Sequence, residues 1–350
     1  MTAPAPSEER TAWLLDRTEA LCRTDTTSGR EDAGIGPLRA QLDELDADDV
    51  HLQPAAPGRH NVLATWGRPK LLFSTHLDTV PPFLPPKRSG DILSGRGACD
   101  AKGQIAAQLG AIRQLLHDGH TDLAWLGVVG EETDSIGAEA AAALAPRCRD
   151  CVAVINGEPT ENKLATGQRG SLQLRLSTRG TAAHSGMPEL GSSAIWPLLD
   201  WLQRLRRIPE DHHEDLGPEI WNLGGIRGGT APNVIPSNAE ATLFVRSIPD
   251  SRFEDRARAM QPEGGRVDRV AFTPPETFER VAGFAHAAVP FGSDAPRLRT
   301  LVGGRRVVLC GPGTIKVAHT LDEHITGSDL ARGCALLVAL AKTLLAEIRP

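Results

Sequence analysis

Three short apolar runs in this chain share one format. "LLFST" (71–75) runs into His76-Leu77-Asp78, "LAWLGVVG" (123–130) into Glu131-Glu132, and "CVAVIN" (151–156) through Gly157 into Glu158-Pro159-Thr160. Runs that are apolar without alternation predict strands buried on both faces, with polar residues just past their C-terminal ends. Helical periodicity fills the gaps. Ile105, Leu109, Ile112 and Leu116 recur at i+4, i+3 and i+4, and "SIGAEAAAALAP" (135–146) reads as an alanine-rich helix stopped by proline. Glu8 to Cys22, with Trp13, Leu14, Ala20 and Leu21, predicts a further helix that ends in the turn "TDTTSG". Strand, helix, strand, helix, strand defines an α/β domain with a mostly parallel sheet and helices on both faces.

The texture changes after Gly170. "SLQLRLSTRG" alternates as a half-exposed strand does, and Ile195, Leu198, Leu199, Leu202 and Leu205 mark an amphipathic helix. "EIWNLGGIRGG" reads as a strand into a glycine turn, "NAEATLFVRSI" as a strand, "DSRFEDRARAM" as a helix and "GRVDRVAFTPP" as a strand. That β-α-β-β-α-β order predicts a smaller α+β domain over 171–275. It interrupts a discontinuous domain made of 1–170 and 276–350. The latter resumes with the strand in "RRVVLCGPG" and closes with a helix striped by Leu330, Cys334, Leu337, Ala341 and Leu344.

Composition narrows the function. At 350 residues, 40% hydrophobic and 23% charged, the chain is an ordinary globular one, and its net charge of −6 argues against a nucleic-acid partner. No apolar stretch is long enough to cross a bilayer, and "MTAPAPSEERTAW" lacks the basic and apolar regions of a secretory signal. Six dispersed cysteines form no disulfide framework. The expectation is a cytoplasmic protein without a membrane partner.

Ligand crevices in open α/β sheets lie outside the carboxyl ends of the strands. His76, Asp78, Glu131, Glu132 and Glu158 all fall there. Asp100, in "GRGACDAKG", follows a glycine-rich turn at a helix start, and His319, in "GPGTIKVAHTLDEH", lies just beyond the returning strand. Two histidines, one aspartate and two glutamates suit a pair of zinc-like ions, with a carboxylate bridging them. Such a pair polarises a carbonyl and acidifies a water. Of the adjacent Glu131 and Glu132, one can bind metal while the other takes the proton from the attacking water. Asp78 is placed to accept the second N–H of the His76 ring.

At these residues the sequence resembles the dinuclear zinc amidohydrolases that include aminoacylase, carboxypeptidase G, succinyl-diaminopimelate desuccinylase and acetylornithine deacetylase. The matching pieces are "HLDTV", "GRGACDAKG", "GEET", "GEPT", "GTAAHSG", "GGTAPNVIPSNAEATLFVR" and "GPGTIKVAHTLDEH". The resemblance implies two Zn2+, with Co2+ or Mn2+ as substitutes. One would be held by His76, Asp100 and Glu158, the other by Asp100, Glu132 and His319. It makes Glu131 the general acid/base, Asp78 its supporting acid, and His184 an oxyanion donor reaching across a homodimer interface. Asn233 and Arg246 match positions that hold the substrate's carboxylate and acyl group. The inserted domain becomes a lid and dimerisation domain.

"GPGTIKVAHTLDEH" and the "EPT" at Glu158 are most similar to the acetylornithine deacetylase branch, although Asp294 in "FGSDAP" stands where glutamate is expected. The implied reaction is hydrolysis of an N-acyl amino acid, N-acetylornithine or N-acetylcitrulline foremost, as in arginine biosynthesis. Desuccinylase, acyl-lysine hydrolase and dipeptidase activities share the same site. A non-catalytic, metal-bound amino-acid-binding module is the rival from another class, against which the free acid at Glu131 speaks. Other clusters have blander readings. "CRDC" (148–151) precedes a strand rather than opening a helix, "DHHED" (211–215) is a solvated loop, and "GGIRGG" (224–229) is a hairpin turn.

Overall fold

The computed structural model describes residues 7–347, which fold as two units. One holds the residues up to Thr166, Phe278–Ala287 and those from Ser293 onward; the other holds Gly167–Thr277 and Ala288–Gly292.

The first unit is built on a sheet ordered Asp49–Ala56, Arg59–Trp66, Leu123–Val128, Leu71–His76, Ala153–Asn156 and Arg306–Leu309. Its first two joints are antiparallel and the remaining three parallel. Every residue of 71–76, 123–128 and 153–156 is buried, which explains why these runs are apolar throughout. Their register sets the site. Leu71 lies opposite both Leu123 and Ala153, and Leu309 opposite Asn156, so the parallel strands start level and end within two residues of one another. The segments carrying histidines and acids therefore leave the sheet along one edge.

Helices Glu8–Cys22, Lys102–His117 and Gly327–Ala346 form one layer, with Leu14, Leu109, Ile112, Leu330, Leu337 and Leu344 in the core. The last helix starts cleanly because the Thr326 hydroxyl accepts the Asp329 N–H at 3.0 Å. Ile136–Ala141 packs on strands 49–56 and 59–66, and Ala295–Leu298 on strand 306–309. The alanine-rich run is not one helix. It breaks into Ile136–Ala141, a tighter turn Ala142–Leu144 and Ala145–Cys148, because Pro146 cannot continue the earlier hydrogen-bond ladder and instead opens a new turn. The antiparallel strands over 49–66 have no counterpart in the sequence reading.

In the second unit the antiparallel sheet runs Ile220–Gly228, Asn238–Arg246, Ser171–Arg179, Arg266–Thr273. Helices Ile195–Arg206 and Phe253–Ala259 share a core with it through Leu198, Trp201, Leu205, Leu174, Leu243 and Phe253. "GGIRGG" is a correction: most of it continues the strand, whose register slips between Leu223 and Gly225, and the chain turns only after Gly228. Glycine there accommodates a bulge rather than ending the strand. That strand lies at the sheet edge and exposes Ile220, Leu223 and Ile226. Among the described residues, no helix is long and apolar enough to cross a membrane.

Candidate metal centre

His76 closes the 71–76 strand and is almost wholly buried. Its Nδ1 lies 2.9 Å from the Asp78 carbonyl oxygen, which can only accept, so this nitrogen carries the proton. Nε2 is then the atom that faces Asp100 Oδ1, at 2.9 Å. The other oxygen of Asp100, Oδ2, lies 3.4 Å from His319 Nε2, which in turn sits 3.0 Å from the Glu132 carboxylate. Each oxygen of Asp100 thus addresses a different imidazole. Ligand-capable atoms of His76, Asp100 and Glu158 lie within 4.8 Å of one another, as do those of Asp100, Glu132 and His319.

Asp78 is fully buried, but its carboxylate does less for the His76 ring than the sequence suggests. Oδ1 is 3.5 Å from Nδ1, the shorter ring contact being to the Asp78 backbone. The carboxylate instead accepts the Glu131 N–H at 3.1 Å, the Glu132 N–H at 3.2 Å and the Ser28 hydroxyl at 2.7 Å. Glu131 and Glu132 stand in a turn, not on an extended strand end, and Asp78 organises that turn. Glu131 belongs to neither cluster. Glu158 is placed by a knot of loops: Gly157 N–H donates to Ser74 O, Thr160 N–H to Gly311 O, and Gly311 N–H to the Thr160 hydroxyl. Gly313 has φ +80°, and a side chain there would press on Cys99 Sγ at 2.6 Å, so the "GPG" turn needs glycine at that position.

The electrostatics are those of an anionic cage. Burial, reinforced by neighbouring carboxylates, pushes Glu131, Glu132 and Glu158 above the usual carboxylate range, and burial pushes Asp294 up to about 6. Burial opposes charging of His76, yet hydrogen bonds to Asp100 and Asp78 hold it well above its ordinary value. Asp100 and Glu132 raise His319 to about 10. Hydrogen bonds from both histidines outweigh burial and keep Asp100 ionised. Both imidazoles face this group of acids, His76 through Asp100 and His319 through Asp100 and Glu132. The donor set therefore suits divalent cations, which relieve such an excess of buried negative charge.

His184, Asn233 and Arg246 belong to the second unit. The structure brings the first two together: His184 bridges to Val234, and Ser185 N–H donates to Asn233 O at 3.0 Å. His184 Nδ1 accepts the Gly186 N–H at 3.1 Å, which leaves the proton of the neutral ring on Nε2. Arg246 lies over the Phe244 ring at 4.9 Å. Sequence reasoning missed Ser28, Arg96 and Glu323. Arg96 and Glu323 had a signal, inside the quoted "GRGACDAKG" and "LDEH". Cys148 and Cys151 are free and buried.

Comparison with known proteins agrees with this architecture. A peptidase M20 domain-containing protein of Schizosaccharomyces pombe is 36% identical over 332 residues, 91% of this chain and 82% of its own length. A probable carboxypeptidase of Aspergillus niger is 36% identical over 367 residues, covering 92% of this chain and 88% of its own. The peptidase dimerisation domain characteristic of M20 proteins matches residues 166–262. Among solved structures, a tripeptidase of Staphylococcus aureus superposes with a TM-score of 0.79 at 20% identity, over 97% of this chain and 99% of its own. A Bacillus subtilis protein described as a dinuclear metal-binding peptidase of the M20 family superposes at 0.68 with 14% identity, over 96% and 100%. The fold is that of the two-unit α/β peptidases. This chain belongs to the M20 peptidase family.

Proposed function

We propose that the chain is a metal-dependent hydrolase of the amide bond in a short peptide or N-acyl amino acid with a free α-carboxylate. The observation that carries this reading is the pair of clusters sharing Asp100, with the unengaged Glu131 beside them. One divalent cation would be held by His76, Asp100 and Glu158, and a second by Asp100, Glu132 and His319. Bound cations of this kind polarise a scissile carbonyl and acidify a water. Glu131, whose carboxyl is held above its usual range by burial, takes the proton of the attacking water and returns it to the departing amine. Asp78 holds the turn that aims Glu131. His184, protonated at Nε2, donates to the developing oxyanion. Asn233 and Arg246 anchor the carboxylate and acyl group.

Relatives bearing the names carboxypeptidase and tripeptidase favour a peptide substrate. The "GPGTIKVAHTLDEH" segment and Glu158-Pro159-Thr160 favour a second reading, deacetylation of N-acetylornithine or N-acetylcitrulline. We assign zinc as the preferred metal and a cytoplasmic site of action. We also assign a homodimer formed through the exposed strand Ile220–Gly228, whose unpaired edge and apolar residues suit sheet extension by a second copy.

The test is amine release by zinc-reconstituted protein from a panel of dipeptides, N-blocked dipeptides, N-acetyl, N-succinyl and acyl-lysine substrates. Peptide turnover at least about tenfold above that of N-acetylornithine supports the first reading, and the reverse order supports the second. Metal-loaded protein that turns over none of them refutes both and leaves a binding module.

A further inference from the structure

Glu323 lies four residues beyond His319 and is almost completely buried, yet it belongs to neither ligand cluster. Its Oε1 accepts three backbone N–H groups from one loop, those of Gly97 at 2.9 Å, Cys99 at 3.2 Å and Asp100 at 3.1 Å. Its Oε2 receives Arg96 Nη1 at 2.5 Å, and its backbone carbonyl accepts the Gly95 N–H at 3.0 Å. Arg96, 1% exposed, also donates through Nε to Pro82 O. The segment 95–100 is therefore wrapped around a single carboxylate.

We propose that Glu323 is the positioning residue of Asp100, fixing the backbone that carries the shared aspartate and locking it to the segment that supplies His319. The proposal rests on the two-metal reading. A bridging carboxylate must present its two oxygens to two different ions, and that aim depends on the orientation of its own peptide unit. The Asp100 N–H is held by Glu323, while the Asp100 oxygens point at His76 and His319. A buried ion pair contributes little net stability over an apolar pair of the same size. An apolar pair, however, cannot gather three amides on one point. Glutamine at 323 keeps the shape, but one of its two terminal groups is a donor. Either that donor faces the Arg96 guanidinium or it faces the amides.

The test compares wild type, Glu323→Gln and Trp66→Phe in zinc titrations against a chromophoric chelator, in the visible spectra of the Co2+-substituted proteins, and in steady-state kinetics. Trp66 is a stability control. Its indole N–H bonds the Leu45 carbonyl, and it pairs with Leu123 at the end of the sheet opposite the centre. The expected result for Glu323→Gln is zinc binding weakened by at least about tenfold at one or both sites, an altered cobalt spectrum, and kcat lowered by about 10–100-fold with KM within about threefold. Trp66→Phe should lose thermal stability while keeping affinity and spectrum. If Glu323→Gln fails to fold, the double variant Arg96→Met/Glu323→Gln removes the orphaned guanidinium and is measured instead. Wild-type zinc affinity and cobalt spectrum in the variant, with wild type loading two ions, overturn this proposal alone. A wild-type protein that takes up no metal overturns the two-metal reading and this proposal with it.

Discussion

Asp78→Asn is the sharpest probe of how the acidic turn is held. The wild-type carboxylate accepts from the Glu131 and Glu132 amides and from Ser28 in a fully buried setting. Asparagine retains one accepting oxygen and puts an NH2 group in place of the other. If that NH2 replaces Oδ1, it opposes the Glu131 N–H. If it replaces Oδ2, Ser28 can reverse its hydroxyl to accept, but the Glu132 N–H is opposed. Either way one backbone amide loses a charged acceptor and meets a donor. A hydrogen bond to a charged group is worth about 1.5–3 kcal/mol, so metal-free stability should fall by about 2–3 kcal/mol. A displacement of Glu131 by about 1 Å would lower kcat by about 100-fold. The His76 ring, by contrast, keeps its backbone acceptor, so metal binding at the His76–Asp100–Glu158 cluster should stay within about threefold of wild type. Urea unfolding of the metal-free protein, zinc titration and steady-state kinetics read these three quantities. Wild-type kcat and midpoint, or loss of metal chiefly from the His76 cluster, would refute the reasoning and return Asp78 to a ring-orienting role.

Four further outcomes follow from the structure. Glu131→Gln should retain both ions by elemental analysis and lose about 10²–10⁴ in kcat; loss of metal along with rate would remove Glu131 from the base role. Metal-free protein should lose stability between pH 6 and pH 9. His76 and His319 have raised folded pKa values, so their stabilisation is full below about 6.5 and fades as pH climbs toward the His319 value of about 10. Glu131 and Glu158, also raised, penalise the folded state once they ionise, so they act in the same direction. Zinc affinity should increase over that interval, because loading displaces those protons, and calorimetry in buffers of different ionisation enthalpy should count about two to four released. A thermal midpoint that rises with pH in chelator would contradict this. Gly137→Ala should destabilise by at least about 2 kcal/mol, because a Cβ there would lie 2.3 Å from Val129 O and 2.6 Å from Asn61 Oδ1. An unchanged melting temperature would show that this contact yields freely.

The parallel part of the sheet was legible because burial on both faces leaves a direct mark, an apolar run without alternation, as in Leu71–Phe73 and Leu123–Leu126. The site was legible because neighbouring parallel strands deliver their following residues to one edge. Strands 49–56 and 59–66 left no such mark. The first buries only Gln53 and contains Pro54, and the second contains Asn61, fully buried but satisfied by Gln53, Gly137 and Val129 from elsewhere in the chain. In Gly224-Gly225 the same residue type that makes turns makes a bulge, and only pairing with 238–246 separates the two outcomes. Glu323 and Asp78 act on backbone amides, and backbone amides have no signature in sequence.

The spacing of the centre along the chain also bears on how it forms. The His76–Asp100–Glu158 cluster lies within one continuous stretch, whereas the other cluster and the Glu323 brace wait for residues near 320. During synthesis the first three ligands leave the ribosome while the strand 306–309 that borders 153–156, the Gly311 loop that holds Glu158 and the Glu323 that secures Asp100 are still inside it. Both clusters of a nascent chain are therefore completed together, by the arrival of its C-terminal segment.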